Sequence, residues 1–226
     1  MVLKMKILGM RIKFIFCLYT LCLAACIDKQ VNKSRVTTLP FYDEATFTPK
    51  WMSPYDKALD TFHSISPFIL TNQDGKKITE KTFNDKIYVV DFFFTVCPGI
   101  CPKMTDNMLL LQDEFINDDE VLLLSHSVTP ERDSVPVLKR YAKNKGIVSN
   151  KWHIVTGSQE DIYRLGRQDY FVEESLGLEK DEDEFLHTEN FVLVDQNKHI
   201  RGIYNGLNKT SINQLIEDIK TLQKEG

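Results

Sequence analysis

The sequence predicts an α/β domain: a central mixed sheet with helices on both faces, inserted elements and a β-hairpin near the C-terminus. Three observations carry this reading. Short runs rich in β-branched and aromatic residues alternate with segments of helical apolar period. One run, Ile87 to Phe94, is apolar except for Asp91, as in a strand buried on both faces. The last periodic segment (Ile212, Leu215, Ile216, Ile219, Leu222) is an amphipathic helix that needs a sheet face to cover.

The elements follow in order. Phe68-Ile69-Leu70 runs into Asn72-Gln73-Asp74-Gly75 and reads as a strand entering a turn. After the strand at Ile87–Phe94, residues Pro102 to Phe115 place Met104, Met108, Leu111 and Phe115 at helical spacing. Val121–Leu124 is a second buried strand, and Val135–Ala142 a helix that stops near Gly146. Trp152–Val155 is a third strand. Ser158-Gln-Glu-Asp161 has the form of a helix N-cap. Phe191–Val194 and Ile200–Tyr204 flank Asp195-Gln196-Asn197 as a hairpin, and Ser211-x-x-Gln214 is expected to cap the final helix.

The N-terminus has a different character. Lys4, Lys6, Arg11 and Lys13 precede a ten-residue apolar run, Phe14 to Leu23, followed by Ala24-Ala25-Cys26. A basic stretch, a short apolar core and small residues before a cleavage point define a secretory signal peptide. The run is too short for a membrane span, which needs roughly 20 residues. Leu23-Ala-Ala-Cys26 resembles a bacterial lipobox, which makes Cys26 the lipidated first residue of the mature chain. The expected organisation is signal peptide 1–25, lipidated tether and extension 26–60, and folded domain 61–226. The expected location is the extracytoplasmic (periplasmic) side of the cell membrane, held by the lipid anchor. The aromatics Phe41, Tyr42, Phe47 and Trp51 are expected to pack the later part of the extension onto the domain.

Removing the signal segment takes away four cations and no acids, so the formal charge goes from −4 to −8. A chain this acidic argues against nucleic-acid binding, where a basic face supplies the affinity. Trimming also removes Cys17 and Cys22, and lipid takes Cys26, which leaves Cys97 and Cys101 as the only thiols. In an oxidising compartment such a pair is a disulfide, a redox couple or a metal clamp. Closing so small a loop constrains little of the unfolded chain, so chemistry is the better explanation.

Cys97-Pro-Gly-Ile-Cys101-Pro102 falls where a buried strand ends and a helix begins. The free N–H groups and dipole of a helix N-terminus favour thiolate, the form that binds metal or attacks disulfides. Pro98 and Pro102 lack N–H groups and are tolerated at a helix start. Thiolates with imidazole suit copper(I), and also zinc.

Four blocks now give a resemblance. Asp91-Phe-Phe-Phe-Thr-Val-Cys97-Pro-Gly-Ile-Cys101-Pro is similar to the F-T-x-C-P-x-x-C-P core of the Sco/SenC family. Ser127-Val-Thr-Pro130-Glu-Arg-Asp133, with Leu138-Lys-Arg-Tyr141, resembles that family's S-V-D-P-E-R-D…L-x-x-Y segment. Trp152-His-Ile-Val-Thr-Gly157 resembles its W-x-x-L-T-G strand, and His187-Thr188 before Phe191–Asp195 its H-[ST]…L-[IV]-D block. The blocks keep order and spacing from about Phe68 to Leu222. The resemblance implies a thioredoxin-like fold with copper, as Cu(I) or Cu(II), held by Cys97, Cys101 and His187. It also implies delivery of copper to, or preparation of the thiols of, the Cu-A site of cytochrome c oxidase or another cuproprotein. The family's usual Asp before the proline is Thr129 here, whereas Asp133 is present.

The competing reading is an extracytoplasmic thiol–disulfide oxidoreductase using Cys97 and Cys101 as a dithiol. Against it stand the C-x₃-C spacing, where C-x-x-C is the usual redox motif, and the lack of any proline after Pro136 to face the dithiol. Copper binds only the reduced pair, so a thiol reductant partner is required in either case. The remaining histidines are assigned packing or surface roles, with His126 expected to be a hydrogen-bonded core residue. Met104 and Met108 are assigned to the core, and the acidic run Glu179–Glu184 to a solvated loop.

Overall fold

The computed structural model describes Ser34, residues 36–172 and residues 188–225. The signal segment, Cys26, the acidic run Glu179–Glu184 and His187 lie outside the described residues.

Among the described residues, seven strands form one mixed sheet: β1 (Ile69–Asn72), β2 (Lys77–Thr79), β3 (Ile87–Phe93), β4 (Val121–Ser127), β5 (Trp152–Thr156), β6 (Asn190–Val194) and β7 (Ile200–Asn205), in the order β2-β1-β5-β4-β3-β6-β7. The three central strands β3, β4 and β5 run parallel; the flanking pairs are antiparallel. A parallel centre buried on both faces explains why β3 and β4 carry no exposed residue along their length.

Alternate residues of β3 point to opposite faces. Ile87, Val89 and Phe93 meet α1 (Cys101–Glu114), α2 (Val135–Lys145) and α4 (Lys209–Leu222) through Met104, Met108, Leu111, Leu138, Leu215 and Ile219. Tyr88, Val90 and Phe92 meet the other layer, where Phe68, Phe83, Ile162, Leu165 and Tyr170 come from α3 (Gln159–Arg164), the π-helical turn Leu165–Asp169 that continues it, and the segments around β1 and β2. Burying each of these side chains contributes roughly 1.5–3 kcal/mol. The two methionines are fully buried core residues, as their spacing implies.

Sequence expectation and structure differ at several points. The final helix begins at Lys209, and Asn208 caps it by accepting from the N–H groups of Thr210 and Ser211, so Ser211-x-x-Gln214 is not its cap. Asn208 adopts extended backbone and its short amide reaches the free donors two and three residues on, which places the start three residues earlier. Strand β2 was not predicted, and β4 extends through Ser125, His126 and Ser127. The described part of the extension touches the domain as early as Ser34, whose hydroxyl donates to Asp218 at 2.6 Å. Phe41 is buried in a short antiparallel bridge to Lys50, whereas Trp51 stays 62% exposed and does not join the core.

Candidate metal centre

The two thiols stand at the carboxyl end of β3. Between Phe93 and α1 the chain crosses Thr95, Cys97 and Gly99, with the Cys97 N–H donating to the Phe94 carbonyl at 3.4 Å. This crossing is fixed from the side by Asp133. That buried carboxylate accepts from the Thr95 N–H at 3.1 Å, the Thr95 hydroxyl at 2.5 Å, the Ser127 hydroxyl at 2.6 Å and the Thr129 hydroxyl at 3.2 Å. Thr129, the position that departs from the family pattern, therefore acts as a donor to the acid that remains.

Cys97 is half-buried, Cys101 is buried, and both are free thiols. Their environments differ in sign. Burial works against the Cys97 thiolate. The Cys101 thiol and the N–H groups of Cys101, Gly99 and Ile100 donate to it, and together they pull its pKa below the ordinary thiol value. Cys101 moves up: burial penalises its charge, and the neighbouring Cys97 sulfur and the Asp91 carboxylate add to the penalty. The pair is thus asymmetric: Cys97 gives up its proton more readily than Cys101. Pro102 sits in the first turn of α1, where its missing N–H removes no intrahelical bond.

A cavity of about 410 Å³ opens over the thiols, lined by Phe92, Phe94, Pro98, Ile100 and Val128 beside Gly99 and Thr188. Its wall is apolar. Next to the site, Asp91 accepts a short hydrogen bond from the Ser125 hydroxyl, which itself accepts from Trp152 Nε1 at 2.8 Å. Burial pushes the Asp91 pKa up to about 7 against that hydrogen bond. Sequence reasoning treated Asp91 as an interruption of a strand; a lone acid in an otherwise apolar buried run was the signal available.

Of the residues singled out from sequence, the structure brings Cys97 and Cys101 together. Cys26 and His187 lie outside the described residues; Thr188, which follows His187 in the chain, is on the cavity wall. Among the described residues no group of three or more His, Cys, Asp or Glu side chains is placed to hold a metal ion. The other histidines have separate surroundings. His63 Nε2 bonds the Asp169 carbonyl oxygen at 2.8 Å. His153 Nδ1 is 3.3 Å from the Asn72 amide. His199 packs between Phe41 and Phe62.

His126 corrects an expectation: it is fully buried, yet neither ring nitrogen has a hydrogen bond of ordinary geometry. It stacks on Phe92 with ring centres 4.8 Å apart and lies against Phe68 and Tyr170. Burial drives its pKa down to about 3, against the nearby backbone of Asp91, so the ring is neutral. Its site takes it as a flat apolar filler.

A mixed sheet with a dithiol at the junction of a central strand and its following helix defines a thioredoxin-like protein. Within that class the chain belongs to the SCO1/SenC family, whose model matches residues 56–224. It is 32% identical over 163 residues to the "SCO1 protein homolog" of Bacillus subtilis, an alignment covering 70% of this chain and 82% of that protein. Among solved structures it is similar to a SCO1/SenC family lipoprotein from Bacillus anthracis, at 32% identity, covering 71% of this chain and 95% of that one, with a TM-score of 0.62. It is also similar to copper-bound ScoI from Arabidopsis thaliana, at 27% identity, covering 70% and 98%, with a TM-score of 0.55. No helix among the described residues is long and apolar enough to cross a membrane.

Proposed function

We propose that the protein is a membrane-tethered, extracytoplasmic copper carrier that holds one copper ion through Cys97, Cys101 and His187. It then delivers the ion to, or prepares the thiols of, the Cu-A site of cytochrome c oxidase or another cuproprotein. The observation that carries this reading is the convergence of the two thiols at a helix N-terminus beneath an apolar cavity. Two soft sulfur donors favour Cu(I), and apolar walls keep competing water away. Thr188 on the cavity wall supports its chain neighbour His187 as the third donor. The copper-bound relative supports copper as the cargo.

In chemical terms, Cys97 loses its proton the more readily of the two, while Cys101 must release its proton as the ion arrives. Release reverses that order: protonating Cys101 weakens one bond and lets an acceptor's ligand replace it. Oxidation of the pair to a disulfide abolishes the site, which is why a thiol reductant partner is part of the proposal. Attachment through a lipidated Cys26 accounts for membrane location.

A second reading, thiol–disulfide oxidoreductase, is favoured by the same asymmetry, a more acidic thiol beside a less acidic one. Titrating the reduced protein with Cu(I) against a competing chelator separates the two. The carrier reading expects about one copper per chain in wild type and at least about tenfold weaker binding in His187→Ala, the cost of roughly 1.4 kcal/mol of ligand energy. Failure of the wild type to bind copper, together with efficient reduction of insulin disulfides, would establish the oxidoreductase reading instead.

A further inference from the structure

The end of the sheet opposite the thiols carries an exposed aromatic segment that the copper site does not use. Trp51 is 62% exposed and Tyr55 83% exposed. Both are large side chains of the kind that settle at a membrane–water boundary, where an apolar ring and a polar edge are satisfied together.

Their position in the fold is fixed by hydrogen bonds around the chain's entry into the domain. Lys50, the neighbour of Trp51, pairs with Phe41 through two backbone bonds of 2.9 Å. The Tyr55 hydroxyl reaches the Glu225 carbonyl at 3.4 Å. The Glu225 side chain accepts from the Leu39 N–H at 2.6 Å and pairs with Arg201 at 2.5 Å. Upstream, the Ser34 hydroxyl donates to Asp218 of α4 at 2.6 Å. The aromatic segment therefore sits where the tether joins the domain. From Cys26 to Ser34 there are eight residues, so the fixed part of the domain lies within roughly 28 Å of a lipid-anchored Cys26.

The direction follows from the sheet register. Tyr42 bridges Ile200, Ile200 pairs with Val194, and Val194 pairs with Tyr88 near the start of β3. Cys97 and Cys101 follow the other end of β3, which is seven residues and roughly 23 Å long. Glu44, Asp56 and Asp60 accompany Lys57 on the exposed aromatic segment, so charge does not explain an attraction to anionic lipid.

We propose that Trp51 and Tyr55 dock the domain on the phospholipid bilayer through apolar contact, standing the sheet upright and presenting the thiols to the aqueous side. This rests on the lipid-anchor reading of Cys26, and the experiment keeps the two apart. The processed, full-length protein is reconstituted in vesicles of phosphatidylglycerol and phosphatidylethanolamine containing brominated acyl chains. The chain has two tryptophans, and Trp152 is buried in the core, so quenching by bromine reports Trp51.

The proposal expects Trp emission about twofold lower than in unbrominated vesicles, and insensitive to salt, as for apolar insertion at the boundary. Trp51→Phe removes the effect, and Tyr55→Ser weakens it with unchanged thermal unfolding. A bulky, membrane-impermeant maleimide should modify Cys97 on vesicles as fast as in detergent. Unquenched emission from anchored protein, or Cys97 protected by vesicles, would overturn the proposal. Lipidation is scored separately, by the mass of the N-terminal peptide of the purified wild type: an unmodified Cys26 refutes lipidation, while quenching in the wild type still decides the docking.

Discussion

Replacing Asp133 by Asn perturbs the anchor that holds the approach to Cys97. The carboxylate takes four donors, three of them on one oxygen: the Thr95 N–H and the Ser127 and Thr129 hydroxyls. An Asn amide oxygen in that place keeps the three bonds, and its NH₂ faces the Thr95 hydroxyl, which can turn to accept. The variant therefore loses charge assistance rather than contacts. Hydrogen bonds to a charged group contribute about 1.5–3 kcal/mol and neutral ones about 0.5–1.5, so three bonds lose about 3 kcal/mol, offset in part because no charge is buried. We expect a net destabilisation of about 2 kcal/mol, read from urea unfolding with an unchanged m-value. Because Thr95 is two residues from Cys97, weaker bonds at Thr95 hold this approach less firmly, and the N–H groups that favour the thiolate are less well fixed. Thiolate absorbance followed against pH should then move to higher pH. Unchanged unfolding together with an unchanged thiol titration would refute the anchoring role.

Thr129→Asp, which restores the family's usual acid, sets a second carboxylate against Asp133 and deletes a donor; it should lower stability at pH 8 by more than about 1 kcal/mol in urea unfolding, and an unchanged midpoint would contradict the donor role of Thr129. Asp91 and His126 should impose opposite pH trends. The Asp91 pKa is raised to about 7 in the fold, so its contribution is present at low pH and is lost by up to about 4 kcal/mol as pH rises from about 4 to 7. His126 is depressed to about 3, so the unfolded chain binds the extra proton below about 6.5 and stability falls by a similar amount toward pH 3. Urea midpoints against pH should therefore fall between pH 4 and 7 in His126→Phe and rise over pH 3 to 6.5 in Asp91→Asn; identical profiles in both variants would contradict the assignment. Iodoacetamide followed by peptide mapping should label Cys97 at least about tenfold faster than Cys101, since the latter is buried and protonated.

Much of this site was legible because its determinants are local. Cys97 and Cys101 flank a strand-to-helix junction marked by an apolar run and two prolines, and periodicity placed Met104, Met108 and Leu111 in the core. Polar residues with distant partners were harder to place. Ser125, His126 and Ser127 look like the end of a strand by hydropathy, yet β4 continues through them because Asp91 and Asp133 accept from the two serines. Strand β2 contributes one buried residue, Ile78, which leaves no period to detect. Asn208 caps α4 from just outside the apolar pattern, so Ser211 inside it drew the assignment. Trp51 was expected to help pack the extension onto the domain on aromatic character alone. It is 62% exposed and follows Lys50, which bridges the buried Phe41, a contact that hydropathy does not report.

The claim that Cys97, Cys101 and His187 hold one copper is tested most directly by X-ray absorption on the Cu(I)-loaded, reduced protein. Wild type should show two sulfur scatterers and one nitrogen in the first shell, and His187→Ala the two sulfurs with the nitrogen lost. A first shell unchanged by His187→Ala, or one with fewer than two sulfurs in the wild type, would contradict the account.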